Sequence, residues 1–169
     1  WSEEPSPQLE RNTMQFYWRC RAELSPAKWN IPLAVLVEGA VVGTTGLITH
    51  DFQVLRTFET GSWLGREHQG AGIGKEMRIA TLHLGFLGFG AQRATTGAWE
   101  DNGPSLGVTN SLGYVANGHR AAVRKGIECS ERRFEMMRND FLTRLRRDDI
   151  TVSGVDDCLA LLGLEPTDG

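Results

Sequence analysis

The sequence has no surplus of positive charge. Its 169 residues include 18 Lys and Arg against 21 Asp and Glu, which gives a net charge of -3 at pH 7. A protein that binds nucleic acid needs a cationic surface to displace the counterions of the phosphate backbone. The composition therefore argues against nucleic acid as a partner, whereas a basic substrate is easily accommodated.

Long apolar runs are also absent. The sequence contains no run of about eighteen apolar residues, the length that a membrane-spanning helix requires, and its start lacks the charged-then-apolar pattern of an export signal. We therefore expect neither membrane insertion nor export. Because the first residue is Trp1, the sequence also suggests a processed or trimmed chain with residues missing upstream.

Cysteines are few and show no pairing pattern. Cys20, Cys129 and Cys158 are odd in number and widely spaced, without a Cys-x-x-Cys motif or clustered histidines. This pattern fits reduced thiols better than disulfides or a zinc site. It predicts a cytoplasmic protein that holds no metal.

The composition is otherwise that of an ordinary globular protein, with 40% hydrophobic and 23% charged residues. A chain of this length buries roughly two-thirds of the surface that its unfolded form exposes. We predict a single domain over residues 1–169, with an irregular lead-in at 1–8. A charged tail is expected at 141–169, in which 155–164 have the pattern of a short helix.

Hydrophobic periodicity predicts a mixed α and β fold. Apolar residues three and four apart indicate helices, and short runs rich in β-branched residues indicate strands. The predicted order is a helix at 9–24, strands at 31–37, 41–49 and 55–64, a helix at 73–87, a strand at 93–99, a helix at 104–112, and strands at 119–125 and 131–138.

A glycine-rich turn joins the third predicted strand to the second predicted helix. Gly70, Gly72 and Gly74 lie within five positions, and glycine lets the backbone adopt positive φ and approach a ligand closely. The helix that follows directs unpaired N–H groups and the positive end of its dipole to the same place. The pattern predicts a phosphate-binding loop, and a ligand-free connection between strand and helix is the competing interpretation.

The spacing of this turn argues against two common phosphate-binding motifs. No Gly-Lys-Ser/Thr sequence ends the turn, so it is not the P-loop that accompanies the magnesium of a nucleoside triphosphate. It is also a poor dinucleotide fingerprint, because no βαβ unit surrounds it and no acidic residue follows about 20 positions on. What remains is the pattern Gln69-x-x-Gly72-x-Gly74.

Motifs that follow one another along the chain in the family's order resemble the GNAT family of acetyl-CoA-dependent N-acetyltransferases, and in particular its ribosomal-protein-alanine acetyltransferase (RimJ/RimL-like) branch. The Gln69-x-x-Gly72-x-Gly74 pattern is similar to the family's pyrophosphate-binding loop, and residues 58–64 are similar to the strand before it. Residues 102–105 (Asn-Gly-Pro-Ser) and 111–114 (Ser-Leu-Gly-Tyr) resemble the branch's Asn-x-x-Ser and Leu-Gly-Phe/Tyr segments.

The resemblance implies an α+β fold of the GNAT type, with a central, twisted, mostly antiparallel sheet flanked by helices. The family's first strand, which precedes the first helix, is not visible in the sequence, which agrees with residues missing upstream. The implied cosubstrate is acetyl-CoA, and the implied partner is an amine, either a protein N-terminus or a small molecule. Homodimers are common among such relatives.

The resemblance also implies which residues bind the coenzyme. Backbone N–H groups from Gly70 through Lys75 would face the pyrophosphate, with the side chain of Lys75 or Arg66 near the phosphates. The pantetheine arm would pair with the main chain of the preceding strand. The implied coenzyme-binding residues are Trp63, Leu64, Arg66, Gln69, Gly70, Ala71, Gly72, Ile73, Gly74, Lys75, Asn102 and Ser105.

Acetyl transfer to an amine requires a base, because an amine with a pKa of about 7.7 to 10.4 is mostly protonated near neutral pH. Glu59 is the first candidate, since it matches a glutamate of the branch, and Glu100 is the second. For the leaving thiolate the candidates are Ser105, which matches a serine of the branch, and Tyr114, whose alternative role is packing. Trp29, Trp63 and Trp99 are expected to line an acceptor pocket or to pack in the core.

Two hypotheses for the function follow. The first is an N-acetyltransferase in which the amine attacks acetyl-CoA directly within a ternary complex. The second is an acyl-CoA-binding sensor without catalysis. It is suggested by residues 59–62, which read Glu-Thr-Gly-Ser where the branch has Glu-Ile-Gly-Tyr. The sequence does not indicate which amine would be the acceptor.

Overall fold

The computed structural model describes residues 4–165 and is built around a six-stranded sheet. The strands are β1 (Lys28–Val37), β2 (Ala40–His50), β3 (Thr57–Leu64), β4 (Arg93–Trp99), β5 (Val115–Arg124) and β6 (Ile127–Met137). Their spatial order is β1-β2-β3-β4-β6-β5. Neighbouring strands are antiparallel except for β3 and β4, which are parallel. This mostly antiparallel sheet flanked by helices confirms the predicted fold class.

Within residues 4–165 the helices are α1 (Gln8–Ala22), α2 (Phe52–Leu55), α3 (Ile73–His83), α4 (Gly103–Ser111), α5 (Arg138–Arg144) and α6 (Asp156–Leu162). A π-helical segment, Leu84–Gly88, continues α3. The start of α4 follows its sequence signals. The side chain of Asn102 accepts the N–H of Ser105 at 3.2 Å, and proline occupies the first turn.

One face of the sheet packs against α3 and its π-helical continuation. Successive strand residues point to opposite faces, and Phe58 of β3 points to this one. A Cβ added at Gly85 would come within 2.2 Å of the Phe58 ring, so glycine is what allows the helix to lie this close. Phe58, Phe86 and Phe141 are each 0% exposed, and burial of one such side chain stabilises the fold by about 1.5–3 kcal/mol.

The parallel strands β3 and β4 separate soon after they begin to pair. Their pairing joins Thr57 to Arg93, Phe58 to Ala94 and Glu59 to Thr95 along the described strands. Beyond this point the strands diverge, with the hydroxyl of Thr96 donating to the carbonyl oxygen of Thr60 at 3.2 Å. The divergence opens a gap in the middle of the sheet, between residues 61–64 and 97–99.

Most of the predicted elements are confirmed, with three differences. The last two strands were predicted too short, because β5 begins at Val115 and β6 at Ile127. Most of β5 is exposed, so the alternation that marks a half-buried strand is missing from it. A one-turn helix, α2, lies just before the third strand, which begins at Thr57 rather than at residue 55.

The third difference concerns the tail. The helix predicted at 155–164 is confirmed as α6, but α5 was not predicted, and the tail contributes to the main core rather than only to a charged surface. Phe141, Leu159 and Leu162 are at most 4% exposed and belong to the same cluster as the buried aromatic residues. The backbone N–H of Arg147 also donates to Nε2 of the buried His83 at 3.0 Å, which ties the tail to α3.

At the other end of the chain, residues 4–7 of the predicted lead-in form neither helix nor strand, and residues 1–3 lie outside the described part. No helix in the described range has the length and apolar character needed to cross a membrane.

Candidate active site

The glycine turn between β3 and α3 has the backbone conformation that its sequence predicts. Gly70 and Gly72 have φ values of +78° and +83°, which residues with a Cβ adopt only with strain. A Cβ added at either position would meet no heavy atom within 4 Å. The turn therefore presents bare backbone to an open space.

The first turn of α3 supplies the donors for such an anion. The N–H groups of Lys75 and Glu76 both donate to the carbonyl oxygen of Gly72, at 3.0 and 3.2 Å. The backbone N–H of Lys75 was predicted to bind the pyrophosphate, but it forms this hydrogen bond within the first turn of α3 instead. Within the described residues, the N–H groups of Ile73 and Gly74 have no such partner, so they remain available to a ligand.

Gln69, the first residue of the motif, has a structural contact. Its side-chain Nε2 donates to the carbonyl oxygen of Leu64 at 3.1 Å. This hydrogen bond ties the glycine turn to the last residue of β3. We infer that Gln69 shapes the turn in addition to lining the cavity beside it.

A cavity of about 470 Å³ lies against the turn, between β3, α3 and α4. Most of the predicted coenzyme-binding residues line it, but three do not. Arg66 lies in an exposed 3₁₀ turn, and Ala71 and Ile73 line a separate surface hollow beside the β1–β2 hairpin. Those that line the cavity are Trp63, Leu64, Gln69, Gly70, Gly72, Gly74, Lys75, Asn102 and Ser105.

A second cavity, of about 420 Å³, lies mainly on the opposite face of the sheet, between the sheet and α1. Glu59, Trp99 and Phe16 are among the residues that line it. The two cavities meet through the gap between β3 and β4, because five residues line both of them. These residues are Ser62, Trp63, Arg78, Asn102 and Ser105.

Two carboxylates and an arginine form a chain along the wall of the second cavity. Arg133 donates to both carboxylate oxygens of Glu59, at 3.1 and 2.7 Å, and to Glu131 at 3.3 Å. Its hydrogen bonds to Glu59 raise the pKa of the Arg133 guanidinium, with a smaller contribution from Glu131. Glu131 also accepts from Arg120 at 2.7 Å.

The remaining catalytic candidates differ in whether they line the cavities. Ser105 lies where the two cavities meet. Glu100 lines neither cavity and faces β5 and β6 instead. Its Oε1 lies 3.2 Å from Nδ1 of His119 and accepts a hydrogen bond from Ser130 at 3.2 Å.

Tyr114 is 6% exposed and also lies outside the lining of both cavities. Burial raises the pKa of its hydroxyl, and the nearby Arg78 opposes that shift to a smaller extent. The hydroxyl lies against the side chains of Thr60 and Arg78, but within the described residues no contact has the geometry of a good hydrogen bond. These observations favour the packing role over the catalytic one.

Two of the three tryptophans considered in the sequence line a cavity, and the third lies in the core. Trp63 and Trp99 line the second cavity, as expected for an acceptor pocket. Trp29 is 1% exposed and packs between the rings of Phe52 and Phe89, with centroids 5.2 and 5.4 Å away. Trp29 is therefore a core residue.

Sequence reasoning missed four residues that line or shape the site: Phe16, Arg78, Glu131 and Arg133. Arg78 had a detectable signal, because it is the one charged residue in the stretch Met77–Leu82 of α3, where only Thr81 among the others is polar. The contact between Glu59 and Arg133 had none, because these residues are 74 positions apart and meet only through the strand order.

Comparisons with known proteins agree with this architecture. The family described as Acetyltransferase (GNAT) domain matches residues 1–115. A solved structure described as a probable acetyltransferase is 22% identical over 81% of this chain and 77% of its own, with a TM-score of 0.66. Spermidine N-acetyltransferase from Vibrio cholerae, solved in complex with CoA and spermine, is 16% identical over 84% of this chain and 82% of its own, with a TM-score of 0.67.

A dodecameric structure of the same Vibrio cholerae enzyme gives a similar result, with 17% identity over 86% of this chain and 84% of its own and a TM-score of 0.66. Because these structures are at most 22% identical to this chain, their similarity shows only that the fold is shared. The family match covers more than half of the sequence. The chain belongs to the GNAT acetyltransferase family, as the motifs around the glycine turn indicated.

Metal ligands were not expected, and residues 4–165 contain no group of three or more His, Cys, Asp or Glu placed to hold a metal ion. All three cysteines are free.

Proposed function

We propose that the chain transfers an acetyl group from acetyl-CoA to a primary amine, by direct attack within a ternary complex. The observation that supports this most is the junction of two cavities through the gap between β3 and β4. One cavity ends at the glycine turn and the other at the carboxylate of Glu59. A donor and an acceptor that enter from opposite faces of the sheet would meet at this gap.

The first cavity would hold the coenzyme. Its phosphates fit the bare backbone of Gly70 and Gly72 and the free N–H groups of Ile73 and Gly74, where the helix dipole favours an anion. Lys75 adds a positive charge from the rim of the same cavity. The pantetheine arm would lie along the open edge of β3 at Trp63 and Leu64, which is free because β4 has diverged.

The second cavity would hold the amine, with Glu59 as the group that receives its proton. Both oxygens of Glu59 already accept hydrogen bonds from Arg133. We therefore propose that the proton reaches Glu59 through a water molecule, or after Arg133 has moved aside. Glu100 is the weaker candidate, because it lines neither cavity.

Ser105 is the proposed donor of a hydrogen bond or proton to the departing thiolate, because it lies at the junction of the cavities. A thiol has a pKa of about 8.5, so it leaves with little assistance. Loss of the Ser105 hydroxyl should therefore slow turnover less than loss of coenzyme binding.

The identity of the acceptor is the open part of the proposal. The motifs around residues 58–64 and 102–114 favour the RimJ/RimL-like branch and hence a protein N-terminus, whereas a solved neighbour is a spermidine N-acetyltransferase. We also propose a cytoplasmic location, which the three free cysteines favour. A homodimer is proposed because dimers are common in the family, and a dodecameric neighbour shows only that a protein of this fold can self-associate.

The test is release of thiol from acetyl-CoA, followed with a thiol-reactive dye. The acceptors would be peptides with free N-termini, polyamines and aminoglycosides, and binding of CoA would be measured separately by calorimetry. Release with one class of amine would support the proposal and identify the acceptor class. Absence of CoA binding would contradict it, and binding without release across the whole set would favour the acyl-CoA sensor.

A further inference from the structure

Arg78 of α3 is a buried cation that has no acidic partner. It is 4% exposed. Its Nη1 donates to the hydroxyl of Thr96 on β4 at 3.1 Å, and its Nη2 donates to the hydroxyl of Ser62 on β3 at 3.1 Å. Its Nε is buried without any hydrogen-bond partner. None of the ion pairs found within residues 4–165 involves this guanidinium.

A buried guanidinium without a carboxylate partner lowers the stability of the fold, so stability does not explain its presence. A buried charge is costly unless an opposite charge compensates it, and an arginine side chain keeps its charge in proteins. The neighbouring Tyr114 does not compensate it, because burial raises the pKa of Tyr114 and keeps its hydroxyl protonated at neutral pH. By contrast, Arg133, on the other side of the site, has two carboxylate partners. A negative charge that arrives with a ligand would balance Arg78.

The position of Arg78 shows where that charge would develop. Arg78 lines both cavities, and its two hydroxyl partners hold it at the gap between β3 and β4. Ser62 and Thr96 point to the α3 face of the sheet, whereas Glu59 points to the opposite face, because strand residues alternate. The guanidinium therefore lies on the coenzyme side of the gap, and the carboxylate on the acceptor side.

We propose that Arg78 is a catalytic residue that stabilises the negative charge on the thioester oxygen and on the departing sulfur during acetyl transfer. The proposal rests on the acetyltransferase function proposed above. The amine nitrogen forms a bond to the carbonyl carbon, the carbon–sulfur bond breaks, and its electron pair leaves with the sulfur of CoA. The amine proton passes to Glu59 or water on the acceptor side, and the thiolate is then protonated. Arg78 supplies charge and keeps its protons.

The first experiment compares turnover of the wild type with that of Arg78→Gln and Arg78→Lys at saturating acetyl-CoA and amine. We expect Arg78→Gln to lower kcat by about 10²-fold, as loss of one oxyanion donor typically does, while the Kd of CoA changes by less than about threefold. Lysine should restore part of kcat, because it keeps the charge. An Arg78→Gln variant with unchanged kcat, or with only a raised KM for amines that carry a carboxylate, would overturn the proposal.

Arg93→Gln is the matched control, since it also removes an arginine from the sheet region. Arg93 donates to Thr57 and lies 3.7 Å from Glu135, at the closed end of the β3–β4 pair. Its kcat should remain near that of the wild type. A purely structural role for Arg78 would lower the melting temperature of Arg78→Gln and leave its kcat per folded molecule unchanged.

The second experiment needs no turnover. The thiol of bound CoA is titrated by the ultraviolet absorbance of its thiolate, in the wild type and in Arg78→Gln. Glu59, Glu131 and Lys75, the other titratable groups that line the cavities, are unchanged between the two. We expect the bound thiol to titrate at least about one pH unit lower in the wild type, and equal values would overturn the proposal. If the wild type shows this difference but acetylates no amine, the proposed acetyltransferase function fails and with it the catalytic role of Arg78, and only the electrostatic contact of Arg78 with the sulfur of bound CoA stands.

Discussion

The side chains of Glu59 and Arg133 join two strands that are not neighbours. Glu59 lies on β3 and Arg133 on β6, with β4 between them, and the guanidinium contacts both carboxylate oxygens at 3.1 and 2.7 Å. The contact crosses the sheet above Gly97, the residue of β4 that pairs with Arg133. It fixes the carboxylate at the acceptor side of the gap between β3 and β4.

The first prediction concerns Glu59 itself. Glu59→Gln should lower kcat by about 10²-fold or more, the usual contribution of a general base, and should leave the Kd of CoA nearly unchanged, because Glu59 does not line the coenzyme cavity. Steady-state kinetics and calorimetry with CoA measure the two effects. Full turnover in this variant would transfer the role to water or to Glu100, and Glu100→Gln assayed in parallel would distinguish these two.

The second prediction concerns the space above β4. A Cβ at Gly97 would lie 2.6 Å from Nη1 of Arg133 and 2.6 Å from Oε1 of Glu131. Because these atoms end flexible side chains, the fold should tolerate Gly97→Ala while the charged chain moves. We expect kcat/KM for the amine to fall by about tenfold, since displacement of a catalytic group by about 1 Å can reduce rate by 10²-fold.

Gly107→Ala is the control for this substitution. Gly107 lies in α4, where an added Cβ meets nothing within 4 Å, and alanine is the better helix former by about 1 kcal/mol. Its kcat/KM should equal that of the wild type, and its melting temperature should rise slightly. Equal kcat/KM in Gly97→Ala and the wild type would show that the position of Arg133 is unimportant for the reaction.

The sequence predicted the strands and helices well wherever one face of an element is buried and the other exposed. Residues 93–99 were predicted as a buried strand, and both ends are correct, since the strand has no exposed position. Prediction was poorer for β5 and for the tail. Most of β5 is exposed, and α5 has few apolar residues, of which Phe141 is fully buried. Neither segment shows the periodicity from which structure is inferred.

The coenzyme side of the site could be predicted from the sequence better than the acceptor side. The glycine turn and the cap of α4 are local features, so spacing indicated Gly70 and Gly72, and the family resemblance indicated Asn102 and Ser105. The acceptor side depends on contacts between distant residues, such as Glu59 with Arg133. The family resemblance indicated Glu59, but only the strand order shows that its carboxylate is already paired.

The third prediction concerns the glycine turn. Gly72→Val should weaken CoA binding by at least about 10²-fold, which corresponds to about 2.7 kcal/mol, because a side chain at φ +83° would occupy the space open to the phosphates. Gly39→Val is the matched control, since Gly39 has φ +82° in the β1–β2 turn and also meets nothing within 4 Å. Both variants should lose similar stability, about 1–2 kcal/mol, and only the first should lose CoA affinity in calorimetry. Equal affinities would argue against the turn as the phosphate site.

The fourth prediction concerns the surface ion pairs that join the tail to α3. Arg147 donates to Asp149 at 2.9 and 2.5 Å and to Glu76 at 2.8 and 2.7 Å. The hydrogen bonds from Arg147 lower the pKa of Asp149. A lowered pKa stabilises the fold above the unfolded carboxyl value of about 3.9, and this contribution is lost as the pH falls through the lower folded pKa.

Asp149→Asn should therefore melt at a lower temperature than the wild type at pH 6 in low salt, and the difference should shrink steadily as the pH falls below the unfolded carboxyl value of about 3.9. It should also shrink in about 1 M salt, where charges are screened beyond about 3 Å. Asp148→Asn is the control, because Asp148 is 97% exposed and lies 3.9 Å from its partner Arg146, so it should melt like the wild type throughout. A difference for Asp149→Asn that stays constant as the pH falls below about 3.9 would show that its origin is packing rather than charge.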